Sequence, residues 1–182
     1  MSPTLPGFLF DIPRNPVVAV GLPLALGFLS GAGSKKVINS IWYQSLLIPP
    51  GRPPRPAFPI IWTTLYTAMG YASYLAIRHH DRAVMAVTKE TIQTGLKWYY
   101  VQLGLNFMWN PIFFNAKSPL SALVDAVALT GSTWYMTKLF HGATDGATTP
   151  FLIPYCVWLG FVVYINGGIW WLNRGRNVPK YD

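Results

Sequence analysis

The chain has 182 residues, of which 52% are apolar and 15% aromatic, while only 11% are charged; soluble domains carry roughly a quarter. The apolar content excludes disorder, and the 14 Lys and Arg against 6 Asp and Glu (+8) are too thinly scattered for a nucleic-acid module. The single cysteine, Cys156, excludes a disulfide framework, and twenty charged residues are too few to clothe a soluble globule. A small integral membrane protein remains.

In chain order, the opening MSPTLPGFLFDIPRNP lacks both a basic start to an apolar run and an Arg-rich amphipathic stretch. It reads as neither a signal nor a transit peptide, so the first span would direct insertion. Segments free of Asp, Glu, Lys and Arg then recur at 15–34, 56–77, 98–116 and 150–172, and at 118–137 with Asp125 as the one interruption. A helix needs about 20 predominantly apolar residues to cross a hydrocarbon core of roughly 30 Å. The expected fold is therefore all-α, a bundle of five transmembrane helices forming a single domain over 1–182.

Between the first two spans, 37–55 is different in kind. Pro49, Pro50, Pro53 and Pro54, with Pro56 just beyond, forbid a regular helix and impose a stiff, extended path. Ile41, Trp42, Leu46 and Leu47 precede them, so this long loop is expected to fold against the helix ends as a lid. Basic residues give the orientation. Arg14, Arg78, Arg82, Lys89, Lys97 and Lys138 fall on one side; Lys35, Lys36, Arg52, Arg55, Lys117, Arg174, Arg176 and Lys180 fall on the other. The excess favours a cytoplasmic C-terminus.

Three spans carry mixed stripes of rings and polar groups at helical spacing. The second has Trp62, Tyr66, Gly70 and Ser73; the third has Gln102, Asn106, Trp109, Asn110 and Phe113; the fifth has Tyr155, Trp158, Val162, Ile165 and Asn166. Unpaired polar groups in hydrocarbon cost several kcal/mol, so these stripes should face inward. Singly, each residue is explained equally well as interhelical glue. As a set, flat rings with a few convergent polar groups describe a dry slot for a flat, mostly apolar ligand. Trp170 and Trp171, beside Arg174, read as interfacial belt residues. Asp125 is either a functional group or a helix-holding one. Small residues at Gly27 and Gly31, at Ala68, Ala72 and Ala76, and at Ala122 and Ala126 permit close helix approach.

No nucleophile triad, phosphate loop or metal constellation is present in the sequence, and no metal is expected: His79, His80 and His141 all fall outside the spans. Two short cholesterol patterns occur, ending at Lys138 and starting at Lys97, but such patterns arise easily.

Taken together, several motifs resemble a known family. They are Trp42-Tyr43; Pro49–x3–Pro53-Pro54–x3–Phe58–x3–Trp62–x2–Leu65-Tyr66; Met69-Gly70-Tyr71–x–Ser73-Tyr74; Leu105-Asn106–x2–Trp109–x–Pro111-Ile112-Phe113-Phe114; Ala122-Leu123-Val124-Asp125; and Pro154-Tyr155–x2–Trp158-Leu159–x–Phe161. The chain resembles the TspO/MBR family, the translocator or tryptophan-rich sensory proteins also called peripheral-type benzodiazepine receptors, over nearly its whole length.

The resemblance implies a five-helix bundle whose cavity opens under the first loop and binds porphyrins and haem-like tetrapyrroles, sterols in some members, and isoquinoline or benzodiazepine-type drugs. It implies no obligatory cofactor, the lipid bilayer as surroundings, frequent homodimers and, in eukaryotes, the mitochondrial outer membrane. Carried over, Asn106, Trp109, Val162 and Ile165 would line the cavity, with Ala32 at its first-helix edge. Trp62 and Trp158 match residues tied to light-dependent porphyrin breakdown in some bacterial relatives and would be catalytic here if that reaction occurs. Two departures stand out. Gly51 and Pro56 occupy loop positions where the family often has tryptophan, leaving Arg52 and Arg55 placed to pair with propionates. The sterol segment at the end of the last helix is broken, because the next basic residue after Tyr164 is Arg174.

Overall fold

The computed structural model describes residues 6–32, 34–176 and 178–179. Lys180 and the side chains of Lys35 and Lys36, which entered the orientation argument, lie outside the described residues, as do 1–5 and the far end of the expected 1–182 domain. All secondary structure among the described residues is helical: α1 (Gly7–Arg14), α2 (Pro16–Ala32), α3 (Ser34–Ile38), α4 (Ile41–Ser45), α5 (Ala57–Arg82), α6 (Ala86–Asn110), a π-helical turn (Pro111–Asn115), α7 (Pro119–Ala143) and α8 (Thr149–Asn173).

Local chemistry sets the breaks. Asn15 Oδ1 accepts from the Val17 and Val18 amides at 2.9 and 3.4 Å, capping α2, and Pro16 takes the first helical position. The residue before proline is driven out of the helical region, and Asn15 sits at φ −97°, ψ 118°. The chain therefore turns by 103° between α1 and α2. At Pro111 the ring interrupts the regular ladder, and the Ala116 amide reaches back five residues to the Pro111 carbonyl at 3.0 Å, closing the π turn.

The helices outrun the charge-free segments. α5 continues through Arg78, His79, His80 and Arg82, and α6 begins at Ala86, so the connection expected over 78–97 shrinks to 83–85. His79 and His80 thus belong to the last turn of α5, and His141 to α7, rather than to loops. The reason is simple: charge is unwelcome in hydrocarbon but is no obstacle to helix formation. Among the described residues only α8 is by itself long and apolar enough to cross a membrane, and α1 with α2 qualifies as a bent pair.

α6 packs most extensively on α7, α7 on α8, α2 on α5 and α5 on α8, while α6 also reaches α2, closing a ring of long helices. Small residues sit at the closest approaches. A Cβ at Gly70 would lie 2.4 Å from the Ala19 carbonyl oxygen, and one at Gly27 would strike the Tyr66 ring. Ala72, Ala76, Ala122 and Ala126 are buried, whereas Gly31 meets nothing.

The proline-rich connection carries two short helices and then runs extended across the end of α8. Trp42, Tyr43 and Leu46 are buried rather than interfacial, packing with Phe113, Phe114, Ile165 and Ile169, while Ile41 and Leu47 stay exposed. Asn173 clamps Leu47, donating to its carbonyl at 2.8 Å and accepting from its amide at 3.0 Å. Tyr164 donates to the Pro50 carbonyl at 3.1 Å, and Pro49 lies so close to Gly168 that a Cβ there would sit 2.5 Å away.

At the opposite end α1 is strapped to α5. Arg14 donates to both Asp81 oxygens at 3.1 Å and to Asp11 at 2.7 Å, while His80 contacts Asp81 at 3.1 Å and packs its ring on Phe10. Tyr100 donates to the Leu9 carbonyl at 2.6 Å. The Arg14 hydrogen bonds hold the Asp81 carboxyl below its ordinary value of 3.8. Being lower in the docked state, that value makes the strap fully effective above pH 3.8 and lost as pH falls through it.

Two outcomes follow. Gly70→Leu separates α5 from α2 and costs about 1–3 kcal/mol in thermal unfolding, whereas Gly104→Ala, where a Cβ meets nothing, is neutral or slightly stabilising. Amide exchange over 7–14 rises below about pH 4 in the wild type, and Asp81→Asn shows that faster exchange already at neutral pH, with little further change on acidification.

Candidate ligand-binding site

The polar stripes of α5, α6 and α8 meet in one buried network. Tyr66 Oη donates to Asn106 Oδ1 at 2.6 Å, Asn106 Nδ2 donates to Tyr155 Oη at 2.9 Å, and Tyr155 Oη donates to Gln102 Oε1 at 2.9 Å. Gln102 Nε2 ends the chain 3.6 Å from Met69 Sδ. Gln102 and Asn106 lie one turn apart on α6, which puts both amides on the same face. Tyr155 and Gln102 are fully buried, and Tyr66 and Asn106 nearly so.

Aromatic rings cap this network on the side toward the proline-rich connection. Trp62 contacts Tyr66 at 5.4 Å between centroids, Tyr155 at 6.4 Å and Trp158 at 6.4 Å, the last two edge-on. Phe58 and Phe161 flank Trp158 at 6.0 and 5.4 Å. The Trp158 indole N–H is buried without a hydrogen-bond partner. Above Phe58, the Arg52 guanidinium lies 5.8 Å from its ring and bonds the Tyr43 hydroxyl, and Arg55 also lies over Tyr43. These cations hang over the aromatic group from the loop.

A second cluster forms nearer the loop. Trp109 stacks on Phe113 at 4.9 Å and 9°, and its indole donates to Asn166 Oδ1 at 3.1 Å. Asn166 in turn donates to the Val162 carbonyl at 2.8 Å, and Ile165 packs into the same group.

The predicted site residues therefore divide. Trp62, Tyr66, Asn106, Tyr155 and Trp158 come together in the inner group, and Trp109, Phe113, Val162 and Ile165 in or beside the outer one. Asn110 turns away to α2, donating to Ser30 Oγ at 2.9 Å, and lines an open groove of about 440 Å³ between α2 and α6 with Leu26, Leu29 and Phe107. Ala32 is exposed at the end of α2 and does not line that groove. Asp125 is buried on α7, with Oδ2 lacking a partner, and hydrogen-bonds to neither cluster among the described contacts.

The expected slot needs a correction. The three faces do turn toward one another, but their rings rest on each other, because large side chains on converging helices fill the space that an inventory of faces leaves blank. Sequence reasoning put Gln102 on the inward stripe of the third span without assigning it a part in the site, and it gave no role to Met69 or Ser30, whose partners are remote in the chain. Among the described residues no group of three or more His, Cys, Asp or Glu converges on a metal position. The site offers stacking faces, one orphan donor and overhanging cations.

Removing Asn106 leaves the Tyr66 hydroxyl without its acceptor and takes one donor from the Tyr155 hydroxyl, which keeps its bond to Gln102. Asn106→Leu lowers thermal stability more than Tyr66→Phe, by about 1–3 kcal/mol per group left unpaired, as read by unfolding in detergent.

Comparison with known proteins agrees over most of this structure. The model of the TspO/MBR family matches residues 19–172. A translocator protein of Ovis aries is 38% identical over 135 residues, covering 74% of this chain and 76% of that protein. A translocator protein homolog of Schizosaccharomyces pombe is 34% identical over 163 residues, covering 90% and 94%. The tryptophan-rich protein TspO of Chlorobaculum tepidum is 32% identical over 160 residues, covering 86% and 94%.

Proposed function

The chain belongs to the TspO/MBR family, and on that premise we propose that it is a five-span membrane protein that binds flat hydrophobic ligands, chiefly porphyrin or haem-type tetrapyrroles. The spans are α2 and α5 to α8, with the proline-rich connection as a lid. The observation that carries the reading is the pair Trp62 and Trp158, set edge-on over the Tyr66–Asn106–Tyr155 network with one indole N–H unpartnered.

A macrocycle enters by parting these two rings. Each stacked pair then contributes roughly 0.5–1.5 kcal/mol beyond burial at about 25 cal/mol per Å². The Trp158 N–H gains an acceptor at the ligand edge, and Asn106 with Tyr66 orients it. Arg52 and Arg55, already held over aromatic faces by the loop, pair with carboxylate substituents. Trp109, Phe113, Val162 and Ile165 extend the surface toward the mouth, with Asn110 and Ala32 on the α2 side and Asp125 behind it. Sterols and benzodiazepine- or isoquinoline-type drugs are weaker candidates for the same volume. The membrane is the mitochondrial outer one if the source is eukaryotic, with the C-terminus cytoplasmic and a homodimer as the assembly.

Protoporphyrin titrated into the purified protein quenches tryptophan emission saturably. Trp62→Ala with Trp158→Ala weakens binding about ten- to a hundredfold, the equivalent of two lost ring pairs. Unchanged affinity in that double variant removes both residues from the site. The same mixtures under lamp and in darkness separate binding from turnover: porphyrin absorbance lost only in light, and only with both indoles present, identifies a light- and oxygen-dependent degrading enzyme.

A further inference from the structure

The ring of long helices closes most loosely between α2 and α6, and the open groove of about 440 Å³ lies along that seam. Among the described residues two hydrogen bonds cross it, and both use one hydroxyl. Pro111 has no N–H, so the Phe107 carbonyl four residues earlier lacks its usual intrahelical donor. Ser30 Oγ donates to that carbonyl at 3.2 Å and accepts from Asn110 Nδ2 at 2.9 Å. The proline that breaks α6 thus creates the group by which α2 is latched to it.

The floor of the groove is the back of the candidate site. Of its lining rings, Phe107 lies 6.3 Å from Tyr66, and Phe114 meets Trp109 edge-on at 5.8 Å. Gly70 faces Ala19 and Gly27 faces Tyr66, so α2 runs antiparallel to α5 and places Leu29 and Ser30 level with Trp62. Leu29, which lines the groove, and Phe28 beside it are exposed, an apolar rim that opens to hydrocarbon in the membrane-spanning reading. The other way in, past the proline-rich connection, is fastened at more points. Two Asn173–Leu47 bonds, the Tyr164–Pro50 bond, Pro49 seated on Gly168 and Arg52 on Tyr43 all hold it shut.

We propose that the α2–α6 groove is a membrane-side docking subsite and portal, through which a flat apolar ligand passes from the bilayer into the aromatic site. The ligand settles against Leu26 and Leu29, the bonds at Ser30 give way, and Phe107 turns aside to open the path to Tyr66 and Trp62. Ser30 and Asn110 then offer their freed hydroxyl and amide to polar substituents on the passing ring. Opening one latch at a single hydroxyl disturbs less of the structure than releasing every fastening of the connection. The inference rests on the tetrapyrrole reading and adds the direction of entry to it.

The full chain carrying Leu29→Cys is placed in phosphatidylcholine nanodiscs and alkylated with N-cyclohexylmaleimide, which plugs the groove from an exposed position. Protoporphyrin association is followed by tryptophan quenching. Before alkylation the variant matches the wild-type rate, so folding is not in question. The adduct associates about tenfold more slowly, the effect of overpacking on a barrier. It releases preloaded protoporphyrin more slowly by the same factor, so affinity is kept. The reagent leaves the wild type unchanged, because Cys156 is buried. Ser30→Ala speeds association roughly three- to tenfold, the equivalent of one or two interhelical hydrogen bonds. An unaltered rate in the adduct overturns the proposal, and faster association in Asn173→Leu then assigns entry to the lid. Lower affinity at an unaltered rate also overturns it, placing Leu29 in the resting site. A wild type without saturable quenching fails the tetrapyrrole reading itself, whereas a wild type that binds and a plug that does nothing fail this inference alone.

Discussion

The fold depends on a small set of polar groups that can be buried only together. Tyr66, Gln102, Asn106 and Tyr155 each carry a group whose isolation in an apolar interior costs a kcal/mol or more, on the order of 1–3. Their chain of hydrogen bonds removes that cost only if α5, α6 and α8 hold one axial register. A shift of α5 along α6 by a residue would break the Tyr66 link, and a shift of α8 would break the Tyr155 links. The same register sets Trp62 one turn from Tyr66 and Trp158 just beyond Tyr155, so the network also places the rings. Gly27 completes the arrangement by leaving room on α2 for the Tyr66 ring.

The proline-rich connection is coupled to that site by contact rather than merely lying above it. Its backbone is fastened to α8 at Leu47, Pro49 and Pro50, while its cation Arg52 bridges Tyr43 and Phe58, the latter touching Trp158. Moving the connection therefore moves the environment of the indoles. Proline stiffness suits such a part, since a segment with few conformations to lose is held in place by few bonds. At the opposite end of the molecule Arg14 is balanced by Asp11 and Asp81.

Much of this was legible in the residue order. The 3.6-residue spacing of Tyr66 with Trp62, of Asn106 with Gln102 and of Trp158 with Tyr155 marked three inward faces, because periodicity reports which side of a helix a group takes. Helix lengths were less legible. Counting charge-free residues measures how much chain suits hydrocarbon, so it missed the turns carrying His79, His80 and Lys89 that extend α5 and α6 beyond it. Asn110 was assigned to the inward face although its partner, Ser30, lies on α2; side-chain direction at the edge of a stripe is decided by the neighbour and not by the spacing. Ala32 fared likewise, as its place depended on how α2 is tilted against α5 and α6.

By itself, then, the sequence determined an all-helical chain too apolar for water and the faces that carry rings and amides. These follow from local sterics and from solvent transfer, which act residue by residue. Only the tertiary structure decided that the amides and hydroxyls satisfy one another, that the indoles meet edge-on instead of framing an open slot, and that Asn173 and Tyr164 fasten the proline-rich connection to α8. Those outcomes depend on distances between segments remote in sequence, and such distances are set by close packing across the whole bundle.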